Sequence, residues 1–213
     1  MISSTTPDLG TAAEPRTLDF GDLHIQWDPR VLEPRPWTIA QPQWLAELAV
    51  DVPHGPALEL CCGAGHMGLL LARLTGRPLI QVDVNPIAVD HARANADAAR
   101  IQVDLRHAPM AEALEPDEQF GLVLADPPWV PTRQVDEHPE DPLIAIHGGD
   151  DGLDLARECL RIIATHLRAG GHAVLQLGSE KQAERLWDEH RAERLELVEV
   201  RRHDGGVLAH LRA

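Results

Sequence analysis

The 213-residue chain contains no tyrosine, only two phenylalanines and a single lysine, Lys181. Any role that needs an aromatic ring must fall to those phenylalanines or to five tryptophans, and a Ser-Tyr-Lys type of redox centre is excluded. Cysteine is scarce as well. Cys61, Cys62 and Cys159 cannot all pair and form no C-x-x-C, which reads as small buried thiols in a reducing compartment. Twelve histidines are present, yet no two stand at the i, i+4 spacing of a helical zinc site, so no metal centre is expected. His166 and His172, flanking Gly170-Gly171, read as surface residues. No apolar run approaches the ~20 residues of a membrane helix. Residues 1–16 lack the basic start and apolar core of a signal peptide, so a cytoplasmic location away from membranes is expected. Positive charge is also short. Lys and Arg number 19 against 34 Asp and Glu, a net charge of −15. This weighs against nucleic acid as a partner, because such affinity comes largely from cations neutralising phosphates. Composition carries no signal for oligomeric state.

What is present is an alternation of strand and helix patterns. Residues 1–16 read as a flexible tail. Residues 17–50 read as an N-terminal hairpin (18–27, turning at Gly21-Asp22), a Pro-rich loop over 29–42 without helix or strand, and a short helix over 43–50. Trp27, Trp37 and Trp44 are placed together as an apolar surface near the entrance of a site. Residues 51–213 read as the main domain. Strands are expected at 57–62, 79–82, 101–105, 122–125, 173–177, 195–200 and 207–211. Helices fall at 67–74, 87–99 (opened by Asn85-Pro86), 153–167 (capped by Asp150/Asp151 and ended by Gly170-Gly171) and 180–191. The fold class is therefore α/β and Rossmann-like, a seven-stranded, mostly parallel sheet with an antiparallel C-terminal edge hairpin.

Gly63-Ala64-Gly65-His66-Met67-Gly68 spells G-x-G-x-x-G between an expected strand and helix, and Asp83 ends the next strand. Glycines let backbone approach a ligand closely, and a carboxylate there can accept both ribose hydroxyls, so an adenosine-containing cofactor is indicated. NAD and S-adenosylmethionine both satisfy this pattern. Glu59, an acid inside the apolar run before the turn, would repel a pyrophosphate but not a sulfonium or ammonium group. Asp126-Pro127-Pro128-Trp129 follows the fourth strand, where open α/β sheets bind ligands. Two prolines fix the backbone and expose carbonyls. The acid can accept hydrogens from a planar amino group, and the indole can stack on it. That arrangement suits methyl transfer to nitrogen, an in-line displacement in which the protein mainly positions the partners.

These motifs together resemble a class I S-adenosylmethionine-dependent methyltransferase and, more narrowly, the HemK-type group that methylates glutamine side chains of peptide release factors. Val31-Leu32-Glu33-Pro34-Arg35-Pro36-Trp37-Thr38, Trp129-Val130-Pro131 and the run from His147-Gly148-Gly149 to Gly152-Leu153-Asp154 carry the narrower likeness. The resemblance covers residues 18–212. It implies S-adenosyl-L-methionine as cofactor, with Glu59, Gly63 and Gly65 at its methionine end and Asp83 at its ribose. Cys61, Val84 and Asp126 join that set, and Thr38 closes over it. Asp126, Pro127, Pro128 and Trp129 are implied as the catalytic turn that holds the accepting nitrogen. Three departures stand out: Asp126 replaces the group's asparagine, Trp129 its tyrosine, and residues 1–50 hold no counterpart of its N-terminal helical domain. The acceptor is thus open between a protein side chain and a small molecule. An amino group of adenine or guanine in nucleic acid is the alternative. A NAD-dependent oxidoreductase or a non-catalytic cofactor-binding domain are readings of another class.

Overall fold

The computed structural model describes residues 13–190 and 194–213, so most of the expected tail lies outside the described residues. β1 (Arg16–Phe20) and β2 (Leu23–Trp27) pair as a hairpin, with Gly21 at φ 63° making the turn. The chain continues through α1 (Ala40–Leu48), β3 (Ala57–Leu60), α2 (His66–Thr75), β4 (Leu79–Asp83), α3 (Pro86–Ala99) and β5 (Val103–His107). It closes with β6 (Phe120–Ala125), α4 (Leu143–Ile146), α5 (Asp154–His166), β7 (Leu167–Leu177), α6 (Glu180–His190), β8 (Glu196–His203) and β9 (Gly206–Arg212). One seven-stranded sheet results, ordered β5-β4-β3-β6-β7-β9-β8. The first five strands in that order are parallel, and β9 runs antiparallel to both β7 and β8. This is the architecture expected from the alternation. β3 has β4 on one side and β6 on the other, and that reversal of strand order opens a crevice at the carboxyl ends.

Every residue of β3 and β6 is buried, because helices cover both faces. On one face Leu58 and Leu60 pack with Ala156, Cys159, Leu160 and Ile163 of α5. On the other, Ala57, Leu122 and Leu124 meet Leu69 of α2, Trp44 and Leu45 of α1, and Phe20 and Ile25 of the hairpin. The third glycine of the motif is dictated by this packing. A Cβ on Gly68 would lie 2.3 Å from Glu59 Oε2 and 3.0 Å from Gln81 Nε2. Gly68→Ala is expected to cost about 2–3 kcal/mol of stability through this overpacking, read from the urea midpoint. An unchanged midpoint would show that Glu59 has room to retreat.

Several local expectations need correction. The Pro-rich segment holds a 3-10 turn (Pro36–Ile39), and α1 starts at Ala40. Pro42 fits there because the first four N–H groups of a helix have no intrahelical acceptor. Asp150 and Asp151 do not cap α5. Its N-cap is Leu153, whose N–H donates to Asp151 Oδ1, and Asp151 also pairs with Arg157. Gly170-Gly171 falls inside β7, where the register against β6 shifts and Gly170 adopts φ 74°. His166 is buried against the Glu118 carbonyl, and His172 is half-buried with Nδ1 2.8 Å from His210 Nε2, so neither is a surface residue. Trp27 and Trp44 belong to the core, leaving Trp37 as the exposed member of the expected tryptophan surface.

Candidate active site

The crevice contains two adjoining cavities. The first, about 220 Å³, is walled by Thr38, Cys61, Gly63, Asp83, Val84, Asp126 and Pro128, with Ala88, Ala108, Pro109 and Met110 as an apolar side. The second, about 270 Å³, is walled by Trp37, Asp126, Pro127, Trp129, His138, Glu140, Asp141 and Gln176. Leu32, Arg35, Thr38, Asp126 and Ala145 line both, so the Asp126 carboxyl stands at their junction. Glu59 and Gly65 line neither wall.

Backbone geometry explains the first cavity. Cys61 and Gly63 adopt φ 58° and 52°, and Gly65, the N-cap of α2, adopts φ 80°. Only glycine takes this region freely, and the Cys61 conformation stores on the order of 1 kcal/mol of strain. At Gly65 a Cβ would also meet Ala92 Cβ and Gln81 Nε2, each at 3.0 Å. Asp83 Oδ2 accepts from the Gly63 N–H and Oδ1 from the Asn85 N–H, both at 2.8 Å. Each oxygen keeps a lone pair free for a ligand hydroxyl. Burial raises the Asp83 carboxyl above the ordinary aspartate range. Asn85 in turn caps α3, its side chain accepting from the Ile87 N–H.

The segment before α1 forms a strap over both cavities. Arg35 binds both Asp141 oxygens, at 2.6 and 2.8 Å, tying the strap to a loop 106 residues away. Thr38 is buried and donates its hydroxyl hydrogen to the Arg35 carbonyl at 2.7 Å. His66 Nε2 lies 3.4 Å from the same hydroxyl, while His66 Nδ1 is buried without a partner. Burial holds this imidazole neutral, its pKa pushed down to about 3. Gln41 of α1 donates through Nε2 to the carbonyls of Ala125 and Val174, both at 2.9 Å, and so braces the end of β6 immediately before Asp126.

The Asp126-Pro127-Pro128-Trp129 turn is held from behind by the loop that supplied part of the sequence likeness. Val130 N–H donates to the Ile146 carbonyl and Gly148 N–H to the Val130 carbonyl. A Cβ on Gly148 would sit 2.6 Å from the Pro128 oxygen, and one on Gly152 would sit 2.2 Å from the Trp129 oxygen. The Trp129 ring packs on Gly178 at the end of β7. Among the described residues the Asp126 carboxyl has no hydrogen-bond partner, and burial pushes its pKa up to about 7.

Glu59, expected to select the cofactor by its charge, lies behind the cavity wall. It is fully buried beneath α2, accepts from Gln81 Nε2 at 2.5 Å, and leaves Oε1 unpartnered. Burial raises it to about 8, which favours the uncharged form and weakens the repulsion of a pyrophosphate. Nothing in the spacing of the sequence points to Arg35, His66, Glu140 and Asp141 as polar wall residues, or to Gln41 as the brace behind Asp126. His138, Glu140 and Asp141 bring potential ligand atoms within 4.8 Å of one another, but Asp141 is committed to Arg35. No helix among the described residues is long and apolar enough to cross a membrane.

The cavity chemistry fits an adenosyl sulfonium cofactor. Free acceptors on Asp83 face one end, apolar Ala88 and Ala108–Met110 give a seat for a flat base, and an unpartnered acid marks the other end.

Comparison with known proteins agrees with this chemistry. A family described as a methyltransferase domain matches residues 57–137. The release factor glutamine methyltransferase of Mycolicibacterium smegmatis is 32% identical over 178 residues, covering 79% of this chain and 59% of that protein. The chain spans less than two thirds of the length of the curated relatives it matches. Among solved structures, the hMettl16 catalytic domain in complex with MAT2A 3'UTR hairpin 6 superposes with a TM-score of 0.71 at 15% identity, covering 89% of this chain and 74% of that one. The tRNA (uracil-54, C5)-methyltransferase of Pyrococcus abyssi, in complex with S-adenosyl-L-homocysteine, gives a TM-score of 0.61 at 17% identity, covering 94% and 45%.

Proposed function

From the premise that the chain carries a methyltransferase domain in the class I methyltransferase fold, we propose that it is an S-adenosylmethionine-dependent N-methyltransferase. The observation that carries this reading is the unpartnered Asp126 carboxyl at the junction of two cavities. One cavity has the chemistry of a nucleoside site and the other opens beside aromatic and polar side chains. When bound, the cofactor supplies an electrophilic methyl on a positively charged sulfur.

The chain's own residues do the positioning. Asp83 accepts the ribose hydroxyls, Val84, Ala88 and Pro109 sandwich the base, and Thr38 closes the strap over the methionine end. Cys61 and Gly63 line the same wall. Asp126 and the Pro127 carbonyl accept hydrogens from the incoming nitrogen, Pro128 stiffens the turn, and Trp129 orients the acceptor group. Gly65 acts indirectly, by shaping the turn, and Glu59 by supporting α2 from below. The acceptor is a nitrogen on a protein side chain or small molecule. The curated relatives are named for a release factor glutamine, and the net charge of −15 disfavours nucleic acid.

Titration calorimetry with S-adenosylhomocysteine, and separately with NAD, tests the reading. Micromolar binding of the homocysteine compound is expected, and binding of NAD alone would sink it. Asp83→Ala is expected to weaken that affinity about 100-fold, since two hydrogen bonds to one charged acceptor are lost. A circular dichroism spectrum like that of the unaltered protein is expected alongside. Unchanged affinity would refute the ribose assignment.

A further inference from the structure

The second cavity has a consistent electrostatic character. Its walls bring two carboxyls that make no ion pair among the described residues, Asp126 at the inner end and Glu140 at the exposed rim, together with the indoles of Trp37 and Trp129. Its one arginine, Arg35, is neutralised by Asp141, whose two oxygens both accept from Nη2. Gln176 is likewise committed, donating to the Leu177 and Gly205 carbonyls and accepting from His203 Nε2. Beside the His138 imidazole and the Arg35 guanidinium, which lies 5.9 Å from the Trp37 ring centroid, what faces a ligand is acceptors and ring faces. A primary amide needs a donor for its carbonyl oxygen as well as acceptors for its hydrogens. A positively charged nitrogen group needs only acceptors, and gains further from indole faces through cation–π attraction.

The whole molecule points the same way. With 34 acidic against 19 basic residues, its field attracts cations and repels anions over distances of about a Debye length, ~8–10 Å at ordinary salt. Resting on the methyltransferase reading, we propose that the second cavity binds a positively charged nitrogen group, a guanidinium or an ammonium, as the methyl acceptor. Asp126 receives its N–H hydrogens, Trp129 and Trp37 flank it, and Glu140 attracts it at the rim. The bound nitrogen first gives one proton to the Asp126 carboxylate, which frees the electron pair that forms the nitrogen–carbon bond. The methyl's bond to sulfur breaks as that bond forms, and the sulfur keeps its electron pair. Asp126 then passes the proton to water.

The test uses the full chain with saturating S-adenosylhomocysteine for binding and labelled methyl donor for turnover. N-acetyl-arginine amide and N-acetyl-lysine amide separate the two cationic sources, N-acetyl-glutamine amide supplies the neutral counterpart, and an adenine-containing oligonucleotide supplies the anionic one. At least one cationic compound is expected to bind and be methylated more than tenfold better than the glutamine compound. Its affinity is expected to fall several-fold between 50 and 300 mM salt, on the order of the screening of one or two exposed charges. Glu140→Gln is expected to weaken cation binding about threefold to tenfold while leaving S-adenosylhomocysteine affinity unchanged, because Glu140 does not touch the first cavity. Preference for the glutamine compound or the oligonucleotide, methylation of no cationic compound, or indifference to both salt and Glu140→Gln would each overturn the proposal. Failure of the unaltered protein to bind S-adenosylhomocysteine would instead remove the methyltransferase reading on which it rests.

Discussion

Asp126→Ala is expected to lower the methyl-transfer rate about 1000-fold while changing S-adenosylhomocysteine affinity less than threefold. The rate falls because the carboxyl stands at the cavity junction with no hydrogen-bond partner among the described residues, and preorganised polar groups at a reacting atom supply roughly 10²–10³ each. Loss of proton acceptance adds to that. Cofactor affinity is expected to be spared because Asp83, proposed to accept the ribose hydroxyls, stands on β4 and not on β6. A collapse of cofactor affinity with little change in rate would reverse the two roles. The same carboxyl sets the pH dependence. Burial holds it near pKa 7 in the free protein, so acceptance grows as pH rises through that value. A positive cofactor or acceptor nearby stabilises the ionised form and moves the limb downward. Rate profiles are therefore expected to rise with pH to a plateau reached at or below about 8. Asp126→Asn, which cannot titrate, is expected to lose that limb and most of its rate with a cationic acceptor.

Much of the frame was legible because it is written in local pattern. Strand and helix periods, the Asn85-Pro86 start and the glycine turn each act within a few residues, and the sheet follows from them. The cavity walls obey different rules. Arg35 meets Asp141 across 106 residues, and Gln41 reaches Ala125 at the end of β6 and Val174 within β7, so no spacing in the sequence announces either contact. Gly170-Gly171 misled for a related reason. Two glycines stop helices commonly, but here α5 has already ended at His166 and the pair supplies an irregularity inside β7. The histidines illustrate the limit of composition. His66, His166 and His210 are buried, and their environments are created by tertiary packing alone.

Glu59 gives the largest expected effect on stability, and it comes from a residue first noticed as a selector of cofactor. Its carboxyl is wholly buried, accepts from Gln81 Nε2 and the Gly68 N–H, and has a pKa raised from 4.5 to about 8. In the unfolded chain it ionises in the ordinary range near 4.5. A raised folded pKa means that the folded state holds the proton longer. The stabilisation is therefore fully present below about pH 4.5 and is lost as pH rises through 8. Each pH unit between those values costs ~1.4 kcal/mol, so the folded protein is expected to lose about 3 kcal/mol between pH 6 and pH 9 from this group. Glu59→Gln removes the titration without removing the acceptor that Gln81 and Gly68 require. Its new amide hydrogens have a candidate partner in Gln81 Oε1, which is buried and unpartnered. Urea unfolding of both proteins at the two pH values separates the alternatives. A stability difference in favour of Glu59→Gln that grows by about 2–3 kcal/mol from pH 6 to pH 9 is the expected result. Parallel behaviour at both pH values would mean that Glu59 ionises inside the fold, and the acid beneath the glycine turn would then be a charge after all.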